Sequence, residues 1–302
     1  MAALAATSCF LRNTRVQRST LKRAMSASRN ATTVSASGTA YVPGGPIENA
    51  TVVVTGGNRG IGLEFVKQIL AKHPGNAVVA ACRDPEGADE LMDLQLEIGP
   101  DRLAVTSLDV SDENSIGHWA SNLESVELVQ GNGGSIDVVI NNAGTTGTDG
   151  YSKWELEDMT SDEMIHVFKI NTVGPMLVVQ QLLKNKLIGV GGGDGKKGRP
   201  TLLGNVTSKV GSVEDNGSGK GYAYRASKAA LNIINKSMSI DLLDRQVQSI
   251  LLHPGWVRTR MTEGRGLVDA DESAGGLIKA MESEYGEVNG RWYDYKGDEI
   301  PW

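Results

Sequence analysis

Cysteine is nearly missing from this 302-residue chain, which holds only Cys9 and Cys82. Cys9 falls in a leader-like start, so the rest could form no internal disulfide and no cysteine-based zinc cluster. Cys82 closes an apolar run and reads as a small buried residue. No apolar stretch approaches the roughly 20 residues that a membrane span needs. Acidic residues are absent from the first 47 positions, which carry Arg12, Arg15, Arg18, Lys22, Arg23 and Arg29 and are rich in Ser, Thr and Ala. That is the composition of an organelle transit peptide, and the opening MAALAATS leans to a chloroplast over a mitochondrion. A disordered tail with no address is the alternative. Removing those six positive charges takes the formal net charge from −6 to −12. So acidic a body suits neither nucleic acid nor an anionic membrane surface.

From Glu48 onward strand-like and helix-like segments alternate without a break, which predicts one doubly wound α/β domain over 48–302 with a single parallel sheet and helices on both faces. Strands are expected at 51–54, 76–82, 102–108, 136–140, 200–206, 247–252 and 291–294. Helices are expected at 61–72, 86–98, 160–187, 222–243 and 273–283, with one more after Ser111 or Asp112 as its cap. In the 222–243 helix, Leu231, Ile234, Met238 and Leu242 form the apolar face. The glycine-rich 189–199 reads as a loop.

The chain is organised around TVVVTGGNRGIG at 51–62. A short buried strand runs into Gly56, Gly57, Gly60 and Gly62, where the backbone must take positive φ and approach an anion more closely than a Cβ would allow. The amides opening the next helix then face that anion. An ordinary strand-to-helix turn is the competing reading, because the spacing differs from the GxGxxG fingerprint. At the end of the second strand stands Arg83, where a cation accommodates a 2′-phosphate, and Arg59 inside the turn can reinforce it; a solvated surface arginine is the other reading of each. Asp109 at the third strand's end either accepts from an adenine amino group or caps backbone amides. Asn141-Asn142-Ala143-Gly144 follows a buried strand, so its amides pin adjacent strands, line a cofactor cleft, or do both. Asn171, among apolar neighbours in a helix, is a structural bridge or a site residue.

Tyr224 and Lys228 lie four apart in a helix and project from one face. A lysine ammonium favours the phenolate and brings a phenol of ordinary pKa near 10 closer to the range of efficient proton transfer. Alone, such a pair is commonly a surface feature.

Taken together, Thr55-Gly56-x-x-x-Gly60-Ile61-Gly62, the NNAG at 141–144, Asn171, Ser208, Tyr224-x-x-x-Lys228 and Pro254-Gly255 resemble the short-chain dehydrogenase/reductase family across 48–302. HPGWVRT at 253–259, YAYRASKAALN at 222–232 and the closing YDYKGDEIPW look most like its carbonyl-reductase branch of C-factor and sniffer type, here with the leader of a plant-type organellar member. The resemblance implies a Rossmann-type fold and NADP(H) as the preferred cofactor, with NAD(H) left open. It implies that Tyr224 donates a proton to a carbonyl oxygen, Ser208 holds that oxygen, Lys228 binds the nicotinamide ribose and lowers the tyrosine's pKa, and Asn171 holds a water in the relay. The cofactor would touch Gly56, Asn58, Arg59, Gly60, Ile61 and Gly62, then Arg83, Asp109, Val110, Asn142, Ala143 and Gly144. It would also touch Tyr224, Lys228, Pro254, Gly255, Val257 and Thr259. The sixteen residues from Ser208 to Tyr224 are more than many members have, so Ser212 is a second candidate for the serine and Thr207 a third.

The expected function is therefore reduction of a small carbonyl compound (aldehyde, ketone or quinone) with no metal; self-association is left open. The alternative is an NADP(H)-binding sensor with little turnover. Substrate recognition is expected in the loops at 145–160, 212–221 and 257–272, which Trp154, Trp256 and Met261 make partly apolar.

Overall fold

The computed structural model describes residues 41–148, 150, 154–189 and 199–302. Most of the leader, and positions 190–198 of the glycine-rich loop, lie outside the described residues. Tyr41 and Ile47, on the leader side of the boundary expected at Glu48, are buried in the core. The Ile47 amide donates to Glu282 Oε1 at 2.6 Å.

Seven strands form one sheet: β1 Thr51–Thr55, β2 Ala77–Cys82, β3 Leu103–Ser107, β4 Val138–Asn141, β5 Thr201–Val206, β6 Val247–His253 and β7 Trp292–Asp294. Their order is β3-β2-β1-β4-β5-β6-β7, and every neighbouring pair is parallel. This is the single Rossmann-type α/β domain that the alternation predicts. Parallel strands covered on both faces read as continuous apolar runs, and β1 shows how they are shared out. Val52 and Val54 point into one core layer and Val53 into the other, as the two-residue period of a strand requires. The first layer takes Phe65, Val66 and Ile69 of helix Gly60–Lys72 and Leu277 and Ile278 of helix Ala270–Met281. The second takes Ile116 and Trp119 of helix Glu113–Asn122 and Val178, Val179 and Leu182 of helix Gly174–Lys184. The chain runs from β1 outward to β3, then returns to place β4 on the other side of β1. A crevice therefore opens beyond the carboxyl ends of β1 and β4, where such sheets bind ligands.

Two elements depart from expectation. The helix expected at 160–187 is interrupted: helix Ser161–Phe168 passes through a π-helical turn, Lys169–Val173, into Gly174–Lys184. Pro175 has no N–H to offer the Asn171 carbonyl four residues back, and the Gly174 amide bonds Lys169 instead, a five-residue step. In helix Tyr222–Asp241 the buried positions are Ala223, Ser227, Lys228, Leu231, Asn232, Asn235 and Ser239. Of the apolar face expected there, Leu231 is buried and Ile234, Met238 and Leu242 are only half-buried. Polar side chains can take the sheet-facing side because each finds a hydrogen-bond partner in the sheet or the helix backbone. Smaller differences are of one to three residues at element ends, and Asp112, not Ser111, caps its helix by accepting from the Asn114 amide.

Candidate active site

The glycine turn leaves β1 through Gly56 at φ 66° and enters helix Gly60–Lys72. Gly62 must lack a side chain because a Cβ there would overlap the Gly56 carbonyl oxygen. The helix start has no capping side chain and no acid in its first turn. Its opening amides therefore have no side-chain partner, and residues 56–62 other than Gly57 border a cavity of about 890 Å³. A cradle that a Cβ would fill, leading to an uncapped helix start, fits a diphosphate.

The NNAG segment is locked to this turn. Thr55 Oγ1 accepts from the Asn142 and Ala143 amides at 3.0 and 3.1 Å. Asn142 Nδ2 donates to the Thr55 and Gly56 carbonyls, and Asn141 Nδ2 donates to Asn205 Oδ1 on β5 at 2.8 Å. Both functions foreseen for the segment coexist, since Asn142, Ala143 and Gly144 also border the cavity.

Arg59 and Arg83 lie on the cavity wall, exposed, and neither makes an ion pair among the described residues. Asp109 and Val110 border it too. Asp109 Oδ1 accepts from both the amide and the hydroxyl of Ser111, so the amide-capping reading of this residue is observed. Burial works against its ionisation, but the bonds from Ser111, with Arg83 and Lys169 nearby, outweigh that and hold the carboxyl below its ordinary value.

Across the cavity stand Tyr224 and Lys228. Lys228 is buried, its Nζ donates to the Val206 carbonyl at 2.9 Å, and it lies 5.7 Å from the centre of the Tyr224 ring. Burial pulls its ammonium down to about 8. Trp154 stacks on the same phenol ring, its ring centre 6.3 Å away at an interplanar angle of 23°. Gly221 makes that stack available, because a Cβ there would meet the indole at 2.9 Å.

Ser208 stands two residues beyond β5, half-buried next to the cavity residue Thr207 but not itself on the lining, its Oγ lying 3.4 Å from the Val210 amide. Ser212 is turned to other work: its hydroxyl donates to the Trp302 carbonyl and accepts from the Asp215 amide. The Thr207 hydroxyl donates to Asn232 Oδ1. Asn171, in the π turn, is wholly buried. It bonds the Thr145 amide and carbonyl, both at 2.8 Å, and Ser227 Oγ at 3.0 Å. The bridging reading of Asn171 is thus observed. Pro254 and Thr259 border the cavity, whereas Gly255 and Val257 stand behind it, with Val257 buried in a bridge to Val268.

Several wall residues carried no motif. Thr145–Thr148 line the cavity and are held by Asn171 and by Glu163, whose carboxylate accepts from the Thr148 amide and hydroxyl. Cys82, His166, Arg260 and Glu263 also reach it. Thr145–Thr148, Arg260 and Glu263 fall in the loops expected to recognise substrate, whereas Cys82 and His166 were not foreseen at the cavity, and Glu163 behind the wall left only the trace of an acid three residues after Thr160 at a helix start. Among the described residues no cluster of metal-ligating side chains occurs, and no helix is long and apolar enough to cross a membrane.

A family model described as short chain dehydrogenase matches residues 50–267. The C-signal protein of Myxococcus xanthus is 38% identical over 170 residues, which cover 56% of this chain and 94% of that one. Among solved structures, the NADPH-bound carbonyl reductase from chicken fatty liver superposes with a TM-score of 0.70 at 32% identity, covering 84% of this chain and 99% of that one. The carbonyl reductase Sniffer of D. melanogaster gives a TM-score of 0.70 at 28% identity, covering 84% and 100%.

Proposed function

This chain belongs to the short-chain dehydrogenase/reductase family, and from that premise we propose that it reduces an aldehyde, ketone or quinone with NADPH. The observation that carries the reading is that one cavity wall holds the uncapped helix start, two arginines with no ion pair among the described residues, and the Tyr224–Lys228 pair. Bound NADPH supplies the hydride for the carbonyl carbon. The residues do the rest. The Gly56–Gly62 turn holds the diphosphate, and Arg59 and Arg83 hold the 2′-phosphate in preference to the bare ribose of NAD. Tyr224 gives its phenolic proton to the carbonyl oxygen, and Ser208 donates a hydrogen bond to the same oxygen. Lys228, charged below about pH 8, binds ribose and favours the phenolate. Asn171 serves the proton relay through water while it ties the Thr145 loop to the catalytic helix.

An assay of aldehydes, ketones and quinones with NADPH and with NADH tests this reading. Turnover with NADPH on at least one class supports it; tight NADPH binding with no turnover on any would favour the sensor. For the acid-free leader the same proposal assigns import into a chloroplast. A reporter fused behind residues 1–40 in leaf cells should collect in plastids, and mitochondrial or diffuse signal would refute that address.

A further inference from the structure

Helix Tyr222–Asp241, which carries Tyr224 and Lys228, docks on the sheet mainly through polar residues, where a surface helix ordinarily turns an apolar stripe inward. Closest to the site is a pair that the chemistry proposed above does not use. Thr207 Oγ1 donates to Asn232 Oδ1 at 2.7 Å, and both side chains are buried, 1% and 4% exposed. Asn232 stands one helical turn beyond Lys228, and Thr207 directly precedes Ser208. The Thr207 amide also continues the sheet by bonding the Leu252 carbonyl, so its backbone has no freedom of its own.

Two further contacts hold the same junction. Arg225 Nη1 donates to the Val210 carbonyl at 3.1 Å. Gly211 lies against the helix backbone so closely that a Cβ would stand 2.8 Å from the Lys228 carbonyl carbon. Further along the helix, Asn235 Oδ1 accepts from Asn205 Nδ2 and from Ser249 Oγ. Apolar packing tolerates small slides and rotations; a short buried hydrogen bond has one length and one direction.

We propose that the Thr207–Asn232 bond is a positioning latch, fixing the height of the Tyr224–Lys228 helix against the end of β5 and so the placement of Ser208 relative to the phenol. The proposal rests on the carbonyl-reductase reading for the roles of those side chains. Thr207 and Asn232 are positioning residues: the hydroxyl is spent on Asn232 rather than offered to a substrate.

Thr207→Val swaps the hydroxyl for a methyl of the same shape, Thr207→Ser keeps the hydroxyl, and Asn232→Leu removes the acceptor. Thr207→Val should lower kcat on the order of 10- to 100-fold, as a small misplacement of reacting groups does, with KM for NADPH changed less than about twofold. Thr207→Ser should restore most of kcat. Asn232→Leu should match Thr207→Val, and the double variant should be no worse than either single one. A second readout needs no substrate. The phenolate absorbance of each protein minus that of its own Tyr224→Phe counterpart follows the one tyrosine, and in Thr207→Val its titration midpoint should move, because the phenol changes height against the end of β5 and with it its surroundings there.

Unchanged kcat, failure of Thr207→Ser to recover it, or losses that add in the double variant would overturn the latch. So would full activity in Asn232→Leu beside a collapse in Thr207→Val, which would make Thr207 the hydroxyl that meets substrate. If the native protein reduces no carbonyl compound, the activity reading fails and the tyrosine titration alone decides the latch, with no shift counting against it. Should Thr207→Val not fold, Asn232→Ala opens the same bond and is read by the same two measurements.

Discussion

The Lys228 ammonium is held between the Tyr224 ring, 5.7 Å to its centre, and the Val206 carbonyl, 2.9 Å away. A buried cation with one backbone acceptor is costly to keep charged, so its placement beside a phenol at a cavity wall is a mark of function more than of stability.

Tyr224→Phe keeps the ring and its stack on Trp154 while removing the proton donor. Carbonyl reduction should fall by a factor on the order of 100 to 10,000, the usual contribution of a general acid. NADPH affinity, measured by fluorescence titration, should hardly change. Full activity on every substrate would show that another group is the donor.

Lys228→Met should weaken both NADPH binding and turnover, and it should also alter the pH dependence of stability. The native ammonium releases its proton near pH 8, against 10.5 for an ordinary lysine. Between those values the unfolded chain holds a proton that the folded one has lost, so this group makes stability rise with pH across that window. Thermal melts from pH 7 to 10 should show the rise in the native protein and a flatter profile in Lys228→Met. Equal slopes would mean that Lys228 titrates normally.

Replacing Arg59 and Arg83 together with alanine should cost NADPH binding roughly 2 to 4 kcal/mol, the worth of two charge-assisted contacts. NADH binding should stay nearly constant. Calorimetry with both cofactors decides this, and an equal loss for the two would remove these arginines from 2′-phosphate recognition.

Gly62→Ala places a methyl group against the Gly56 carbonyl oxygen and near Asn142 Nδ2. Overpacking of this kind costs about 1 to 3 kcal/mol, and the turn should open enough to weaken NADPH binding by at least tenfold. Denaturant melts and cofactor titration on one preparation test both effects; a variant as stable as the native protein and as tight for NADPH would contradict the observed close approach.

Much of this was legible beforehand because it is local. Apolar runs broken by glycine set the seven strands, and the four-residue spacing of Tyr224 and Lys228 puts them on one helix face wherever that helix docks. Two expectations missed, the first for a non-local reason and the second despite a local signal. The apolar pattern of residues 222–243 pointed to Leu231, Ile234, Met238 and Leu242 as the docking face; Leu231 is buried, but Asn205 and Ser249 on neighbouring strands and Thr207 just beyond β5 offer partners that let Asn232 and Asn235 be buried while the other three stay half-buried. The helical pattern across Asn171 was read as unbroken, although Pro175 already carried the break.

By itself the chain's order of residues determined the α/β alternation, the glycine turn, the arginines within and after it and the tyrosine–lysine pair, since each depends on chemistry within a few residues. Tertiary structure decided which group each hydroxyl near the site bonds. Ser208, Ser212 and Thr207 all offer a hydroxyl, and the positions of Trp302 and Asn232 turn Ser212 and Thr207 to distant partners while Ser208 lies beside only the nearby Val210 amide. A hydroxyl takes its role from the partner it reaches, and those partners lie up to 90 residues away along the chain.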